Sequence, residues 1–421
     1  MTPSLEQYRN EVSRCVKCGT CLSECPTYLT TGDETMVARG RLSLVEAVLE
    51  GELKMSNNFN EYLSTCASCL SCVSKCPSGV DPVKIINAAK SEYFEKDPDF
   101  FTKAILKYFV SKERPLYPMF KLLGFANKLF YDRIPVEGWL KELLPFIRSG
   151  VKKSFPEFGK RNLKNEVPEI IRVKNPKMRV VFFTGCMTDY VYQDAGHNII
   201  DLLKTNNIET IIPKNIICCG APAYYMGDQK TALKLAQKNF LLLSKLNPDY
   251  IITNCATCGN VLKSIYKILL NLNGHRLNFT DKVMDFHKFF AAHIGIQHDN
   301  KKNSFKNKVK VTYHDPCHLK RGQNVHLEPR ELLKSLPWVE FVEMDNPDAC
   351  CGGAGGFNIK HYDLSLEIGK RKAESIKRTG ADIVATGCPS CQMQLKDILN
   401  RANYSRPICH VADLLKDPSN L

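Results

Sequence analysis

Hydrophobic positions divide the chain into two regimes. Between Val37 and Gly51, the residues Leu42, Val45 and Leu49, flanked by Leu44 and Val48, recur at i, i+3 and i+7. That spacing predicts an amphipathic helix closed by Gly51. A second helix is predicted from Asn60 to Thr65. From Met178 onward the period changes. Short apolar runs beginning at Met178, Pro248, Lys308 and Ala381 each end, within a few residues, in a cysteine: Cys186, Cys255, Cys317 and Cys388. Strands of this kind alternating with helix-length segments predict parallel-sheet α/β units. Between the regimes, Phe101 to Val110 and Leu116 to Phe130 alternate apolar and basic residues, with prolines at 115, 118, 135 and 145. This stretch reads as a helical connection, with contact to an anionic membrane surface as the alternative.

The α/β half is duplicated. Cys186, Cys218-Cys219-Gly220 and Cys255-Ala-Thr-Cys258 are followed by Cys317, Cys350-Cys351-Gly352 and Cys388-Pro-Ser-Cys391. Equivalent landmarks are displaced by 131, 132 and 133 residues, so the same unit occurs twice. In open parallel sheets, ligands lie beyond the carboxyl ends of the strands, where these cysteines fall. Both CxxC pairs open helices, whose free N–H groups favour anionic sulfur. Neighbouring side chains of an extended segment point apart, so Cys218 and Cys219 suit a split, sulfur-bridged cluster better than one zinc ion. The glycine after each pair permits close backbone approach. The run Gly352-Gly-Ala-Gly-Gly356 lacks the flanking strand and helix of a nucleotide loop and is assigned to shaping this pocket.

Ahead of these units, Cys15, Cys18, Cys21 and Cys25-Pro26 follow the spacing C-x2-C-x2-C-x3-C-P, and Cys66, Cys69, Cys72 and Cys76-Pro77 repeat it. This is the bacterial ferredoxin run for [4Fe–4S] clusters, in which the fourth cysteine holds the other cluster. Cys15, Cys18, Cys21 and Cys76 are thus expected to hold one cube, and Cys66, Cys69, Cys72 and Cys25 the second. A structural zinc ion needs only four ligands and leaves two complete runs unexplained. The Arg39-Gly-Arg41 element could place positive charge beside a cluster and raise its potential.

Composition narrows the partners. The 421 residues carry 19 cysteines, 18 of them in these motifs, with Cys409 left over beside His410 as a buried structural residue, a redox thiol being the alternative. Metal-ligand grouping of this kind belongs to a reducing compartment. No apolar leader and no run of about 18 apolar residues is visible, so a cytoplasmic protein is expected, peripheral attachment to the inner membrane face being the alternative. The net charge of +14 is dispersed, which favours an acidic partner or lipid surface over nucleic acid. His314, His318 and His361 lie among the cysteine motifs as candidate proton carriers.

The 40 helical residues between the ferredoxin runs resemble the all-α ferredoxin domain of fumarate reductase and its relatives. The five-cysteine sets, 186, 218, 219, 255, 258 and 317, 350, 351, 388, 391, resemble the CCG domain found twice in the B- and D-type subunits of heterodisulfide reductase. The same domain occurs in the iron–sulfur subunits of glycolate oxidase and of anaerobic glycerol-3-phosphate dehydrogenase. The resemblance implies an all-helical bis-[4Fe–4S] ferredoxin domain (1–100), a basic helical linker (101–175) and two α/β CCG domains with parallel sheets (176–300 and 301–421). It implies two cubane clusters, with capacity for one or two noncubane [4Fe–4S] clusters at the CCG cysteines, and no flavin in this chain. By the same resemblance the chain is an electron-transfer subunit. An FAD-containing partner would oxidise glycolate or D-lactate, and electrons would leave toward quinone, a cytochrome b or another acceptor. The alternative is a heterodisulfide-reductase-type subunit whose CCG cysteines take part in disulfide reduction.

Overall fold

A computed structural model describes residues 4–98, 106, 162–272, 278–295 and 308–416. Most of the basic connection expected over 101–175 therefore lies outside the described residues. In the N-terminal part the regular elements are helices: α1 (Pro26–Thr31), α2 (Ala38–Leu49), α3 (Asn57–Ser64) and α4 (Pro82–Lys96), with shorter turns between them. Helix α3 begins three residues earlier than its apolar pattern suggests, because the Ser56 hydroxyl caps it by accepting from the Phe59 N–H. Asp81 does the same for α4 ahead of Pro82. Leu42 and Val45 of α2 pack on Phe59, Leu63, Ile85, Ile86 and Ala89, forming a small core of this part.

The remainder holds two sheets of the same plan. In the first, β1 (Ile170–Ile171), β2 (Met178–Phe182), β3 (Ile208–Ile211), β4 (Tyr250–Thr253) and β5 (Val283–Asp285) lie in the order β1-β3-β2-β4-β5. In the second, β6 (Val309–His314), β7 (Val339–Phe341), β8 (Ile383–Thr386) and β9 (Ile408–His410) lie in the order β7-β6-β8-β9. The registers coincide: Val180 pairs with Tyr250 as Val311 pairs with Ile383. All pairings are parallel except β1–β3, which is antiparallel. The expectation of purely parallel sheets is corrected at this edge. Ile170 and Ile171, assigned to the connection on sequence, form a strand too short to leave a periodic signal.

Alternate residues of the central strands enter two buried layers, which is why the strands read as continuous apolar runs. One layer joins Val180, Phe182 and Ile252 of the first sheet to Val311, Tyr313 and Ala385 of the second, so the halves share a core. Helices α5 (Gly185–Tyr190), α6 (Gln229–Leu246) and α7 (Ala256–Asn260) belong to the first half; α8 (Cys317–Gln323), α9 (Tyr362–Thr379) and α10 (Pro389–Arg401) belong to the second. The helical part docks on both. Arg371 of α9 donates to Thr30 Oγ1 and Pro26 O, and Gln229 of α6 donates to Asn87 O. Among the described residues no helix is long and apolar enough to cross a membrane.

Candidate metal centre

The two ferredoxin loops share one backbone. Lys17 and Ser68, third in each run, have φ of 52° and 50°, and Gly19 and Leu70, fifth in each, have φ of 86° and 63°. Two left-handed residues per loop curl the chain so that three thiols converge. Short polar side chains support the sulfurs: Cys18 pairs with Thr20 Oγ1 at 3.4 Å, Cys69 with Ser71 Oγ at 3.4 Å and Cys25 with Thr27 Oγ1 at 3.1 Å.

Cys25 lines one pocket with Cys66, Cys69 and Cys72, beneath the fully buried Arg41. Burial, then the neighbouring Cys66, Cys69 and Cys25, drives the Cys72 thiol well above its usual range. On the other side, Cys15 and Cys76 pack at the edge of the helical core, and Arg14 donates to Ser78 O, which holds the segment after Cys76 beside the start of the first run. Cys18 is exposed, and Cys15 and Cys21 are half-buried. Arg41 donates to Tyr62 O and Thr65 Oγ1, whereas Arg39 pairs with Glu34 at the surface. The sequence pointed to the Arg-Gly-Arg element, and both arginines lie beside cysteine loops: Arg41 lines the pocket of the second, and Arg39 donates to Lys17 O at 3.4 Å in the first.

Beyond the sheets, the switch in strand order lies where β2 and β4 run side by side, and the crevice there receives Cys186, Cys218, Cys219, Cys255 and Cys258. The second half does the same with Cys317, Cys350, Cys351, Cys388 and Cys391. The sequence suggested one pocket per half. Instead all ten cysteines line a single cavity of about 410 Å³, with Cys66 of the ferredoxin loop at its wall.

The sulfurs form a hydrogen-bonded file. Cys186 bonds Cys218, Cys218 bonds Cys219, and the Cys258 thiol donates to Cys219 at 3.4 Å. Cys258 bonds Cys255, Cys255 bonds Cys388 across the boundary between halves, and Cys388 and Cys351 both bond Cys391. Acceptors in this file are pulled toward thiolate. Hydrogen bonds from Cys218 and Cys258 bring Cys219 down to about 6. Those from Cys255 and Cys391 pull Cys388 well below the usual thiol range, and one from Cys391 does so for Cys351.

Cys218 and Cys219 do not point apart as an extended segment would require. Gly220 and Gly352 adopt φ of 92° and 85° and turn the chain, and their N–H groups donate back to Cys218 and Cys350 Sγ. Gly353 to Gly356 line the cavity, as the glycine run implied. Cys409 is buried in the β9 core, away from the file.

The 4Fe-4S dicluster domain matches residues 11–80 of the chain, and the cysteine-rich domain, CCG, matches residues 180–263 and 311–396. The "Probable glycolate oxidase iron-sulfur subunit" of Bacillus subtilis (strain 168) is 30% identical over 420 residues, 96% of this chain and 93% of that protein. The chain belongs to the family of iron–sulfur subunits that join a dicluster ferredoxin domain to two CCG domains. A subunit of the dihydromethanophenazine:CoB–CoM heterodisulfide reductase of Methanosarcina barkeri (strain Fusaro) is 27% identical over 92% of this chain and 89% of that protein. A subunit of the fumarate reductase (CoM/CoB) of Methanothermobacter marburgensis (strain Marburg) is 40% identical over 54% of this chain and 44% of its own length.

As a member of this family, the chain is an iron–sulfur protein of oxidoreductase type. Its residues fit that cargo: groups of four or five soft thiols converge in closed pockets, several already biased to thiolate. Sequence reasoning missed Arg321 of α8. Its guanidinium donates to Asp348 O and Oδ2 at 2.9 and 2.8 Å and to Cys69 O at 3.4 Å, so it lies between a ferredoxin loop and the second CCG loop. No local motif marks it, because the contact spans 252 residues.

Two of the histidines serve as ties. His318 bonds Ser68 O at 2.9 Å and Thr257 Oγ1 at 3.3 Å and stacks on Tyr225, which links all three parts of the molecule. A carbonyl only accepts, so Nε2 carries the proton and Nδ1 accepts from Thr257. His361 bonds Ser64 Oγ of α3 at 2.7 Å. His314 places a ring nitrogen within 4.8 Å of the Cys351 and Cys391 sulfurs, and its Nδ1 donates to Pro347 O at 3.2 Å.

Proposed function

We propose that this chain is the electron-transfer subunit of a flavin-linked 2-hydroxy-acid oxidase acting on glycolate or D-lactate, with an FAD-containing partner supplying electrons and a quinone or comparable acceptor removing them. The supporting observation is the continuity of the cysteine sites. They run from the exposed Cys18 loop, through Cys21 and Cys25 to the Cys66–Cys72 loop, and from Cys69 to Cys317 and Cys350 at the cavity. Cys15, Cys18, Cys21 and Cys76 are the proposed holders of one cube, and Cys25, Cys66, Cys69 and Cys72 of the other. The five-cysteine sets 186, 218, 219, 255, 258 and 317, 350, 351, 388, 391 are the proposed holders at the CCG sites. Iron–sulfur clusters accept and release single electrons, which splits the two-electron chemistry of a hydroxy acid delivered through a flavin. The residues around them orient the sulfurs and exclude water. Val16, 70% exposed beside Cys18, gives the outer end an apolar landing surface for a partner.

A second reading is favoured by one feature. The cavity holding the ten cysteines is also lined by Asn57, Asn60, Lys90 and Lys360, polar and cationic groups that suit a small anionic molecule. Lys90 is buried there, and burial lowers it to about 8. That arrangement fits disulfide reduction at the cysteine sites. The two readings separate in one assay of the anaerobically purified complex. Glycolate- or D-lactate-dependent reduction of the protein's visible absorbance is expected. Reoxidation by a mixed disulfide, with no response to either acid, would replace the first reading by the second.

A further inference from the structure

Equivalent positions in the two halves are not occupied alike. Strand register and cysteine spacing align His314 with Phe183 and Arg321 with Tyr190. Helices α6 and α9 are both 18 residues long, and their alignment places Lys372 against Asn239. This last pair performs a related structural task. Asn239 donates to Cys218 O and Ile217 O, and Lys372 Nζ donates to Asn346 O and Pro347 O, so each ties down the loop of its own Cys-Cys-Gly. In the first half the helix supplies a neutral amide, and the ammonium on the same loop, Lys164 bonded to Ile216 O, is paired with Asp189 at 3.4 Å, whereas the second half uses an ammonium that is 1% exposed and makes no ion pair among the described residues. His314 adds a ring nitrogen within 4.8 Å of the Cys351 and Cys391 sulfurs, where the first half has a phenyl ring.

Acidic neighbours do not cancel the difference. Around the second site Asp315, Asp348 and Glu343 are engaged by Arg330, Lys320 and Arg321, which leaves Lys372 in excess. Near the first, Lys164 is matched by Asp189, and Lys214, which donates to Lys164 O and Val167 O, is matched by Glu169. Cationic and polar surroundings stabilise the more negative, reduced state of a thiolate-bound cluster better than an apolar ring does. Cys69 and Arg321 adjoin Cys317 and Cys350, whereas no comparable ferredoxin-loop contact reaches Cys186, Cys218 or Cys219 among the described residues.

We propose that the two CCG sites are electrochemically inequivalent: His314, Arg321 and Lys372 hold the second site at the higher reduction potential, so it takes up the first electron arriving from the Cys66–Cys72 loop. This rests on the cluster-holding role proposed above for both five-cysteine sets. In a dithionite titration each electron taken up by a site is one lost by dithionite, and no proton transfer is required.

The test is a redox titration of the full chain, reconstituted anaerobically with iron and sulfide and followed by electron paramagnetic resonance. Cys351→Ser and Cys219→Ser identify which signal belongs to which half. The second-half signal should appear first, separated by at least tenfold in one-electron equilibrium, or about 59 mV. Lys372→Asn together with His314→Phe should close the gap at unchanged iron content, and Arg321→Lys should preserve it. Phe183→His should raise the first-half signal. Coincident or reversed potentials in a fully loaded wild-type protein overturn the inference and leave the ligand assignment standing. Iron and acid-labile sulfide sufficient only for the ferredoxin runs would remove the assignment, and this inference with it.

Discussion

Each Cys-Cys-Gly tripeptide depends on its glycine for more than the close approach its position suggested. Both glycines are left-handed, and they swing two adjacent thiols toward one cavity. Their surroundings differ. A Cβ on Gly220 would meet Ala232 O at 3.5 Å, an ordinary contact, whereas one on Gly352 would meet Ser365 O at 2.4 Å. Gly220→Ala should therefore cost roughly 1–2 kcal/mol, from backbone strain alone. Gly352→Ala adds a collision with a main-chain oxygen and should cost at least twice as much. Denaturant unfolding of the two variants checks the ratio, and equal losses would contradict this account. The cysteine spacing was legible in the sequence because it is local. The direction of Cys218 and Cys219 was not, since it turns on the dihedral angle of the residue that follows them.

At the scale of elements, the start of α9 is tied to α3 by two adjacent residues, Lys360 and His361, of which the histidine is the buried one. His361 bonds Ser64 Oγ and faces Glu61 at 3.5 Å, while burial depresses it to about 4. The unfolded value is about 6.5, so folding expels a proton between these limits. The stabilising contribution is complete above pH 6.5 and is lost as pH falls through that window toward 4. At pH 5 the loss should reach about 1–2 kcal/mol. Thermal unfolding at pH 7.5 and pH 5 should show a larger drop for wild type than for His361→Gln, and equal drops would refute the assignment. Helices and strands with a clear period were readable in advance: α2, the cysteine-terminated strands and the duplication all follow from spacing. The edge strand Ile170–Ile171 was not, because two residues carry no period and its pairing with β3 is set by a loop tie from Ile212 N–H to Glu169 O.

For the whole molecule, what escaped the sequence was how the parts meet. The five-cysteine sets were visible, but nothing local says that Cys255 meets Cys388 or that Arg321 reaches Cys69. Such contacts depend on a core shared between halves and on the docking of a domain some 250 residues away in sequence. The closeness of the halves has a cost when the protein is handled without metal. Cys388 is biased to thiolate and adjoins Cys255 on the opposite half, an arrangement poised for oxidation by air. Two electrons passing to dioxygen would weld the halves together through a disulfide. Peptide mapping of aerobically prepared, metal-free protein should recover the Cys255–Cys388 cross-link, and its absence after prolonged air exposure would count against the packing described. A cell making this protein must therefore deliver iron and sulfide before oxygen reaches the seam, since a welded seam would block later loading.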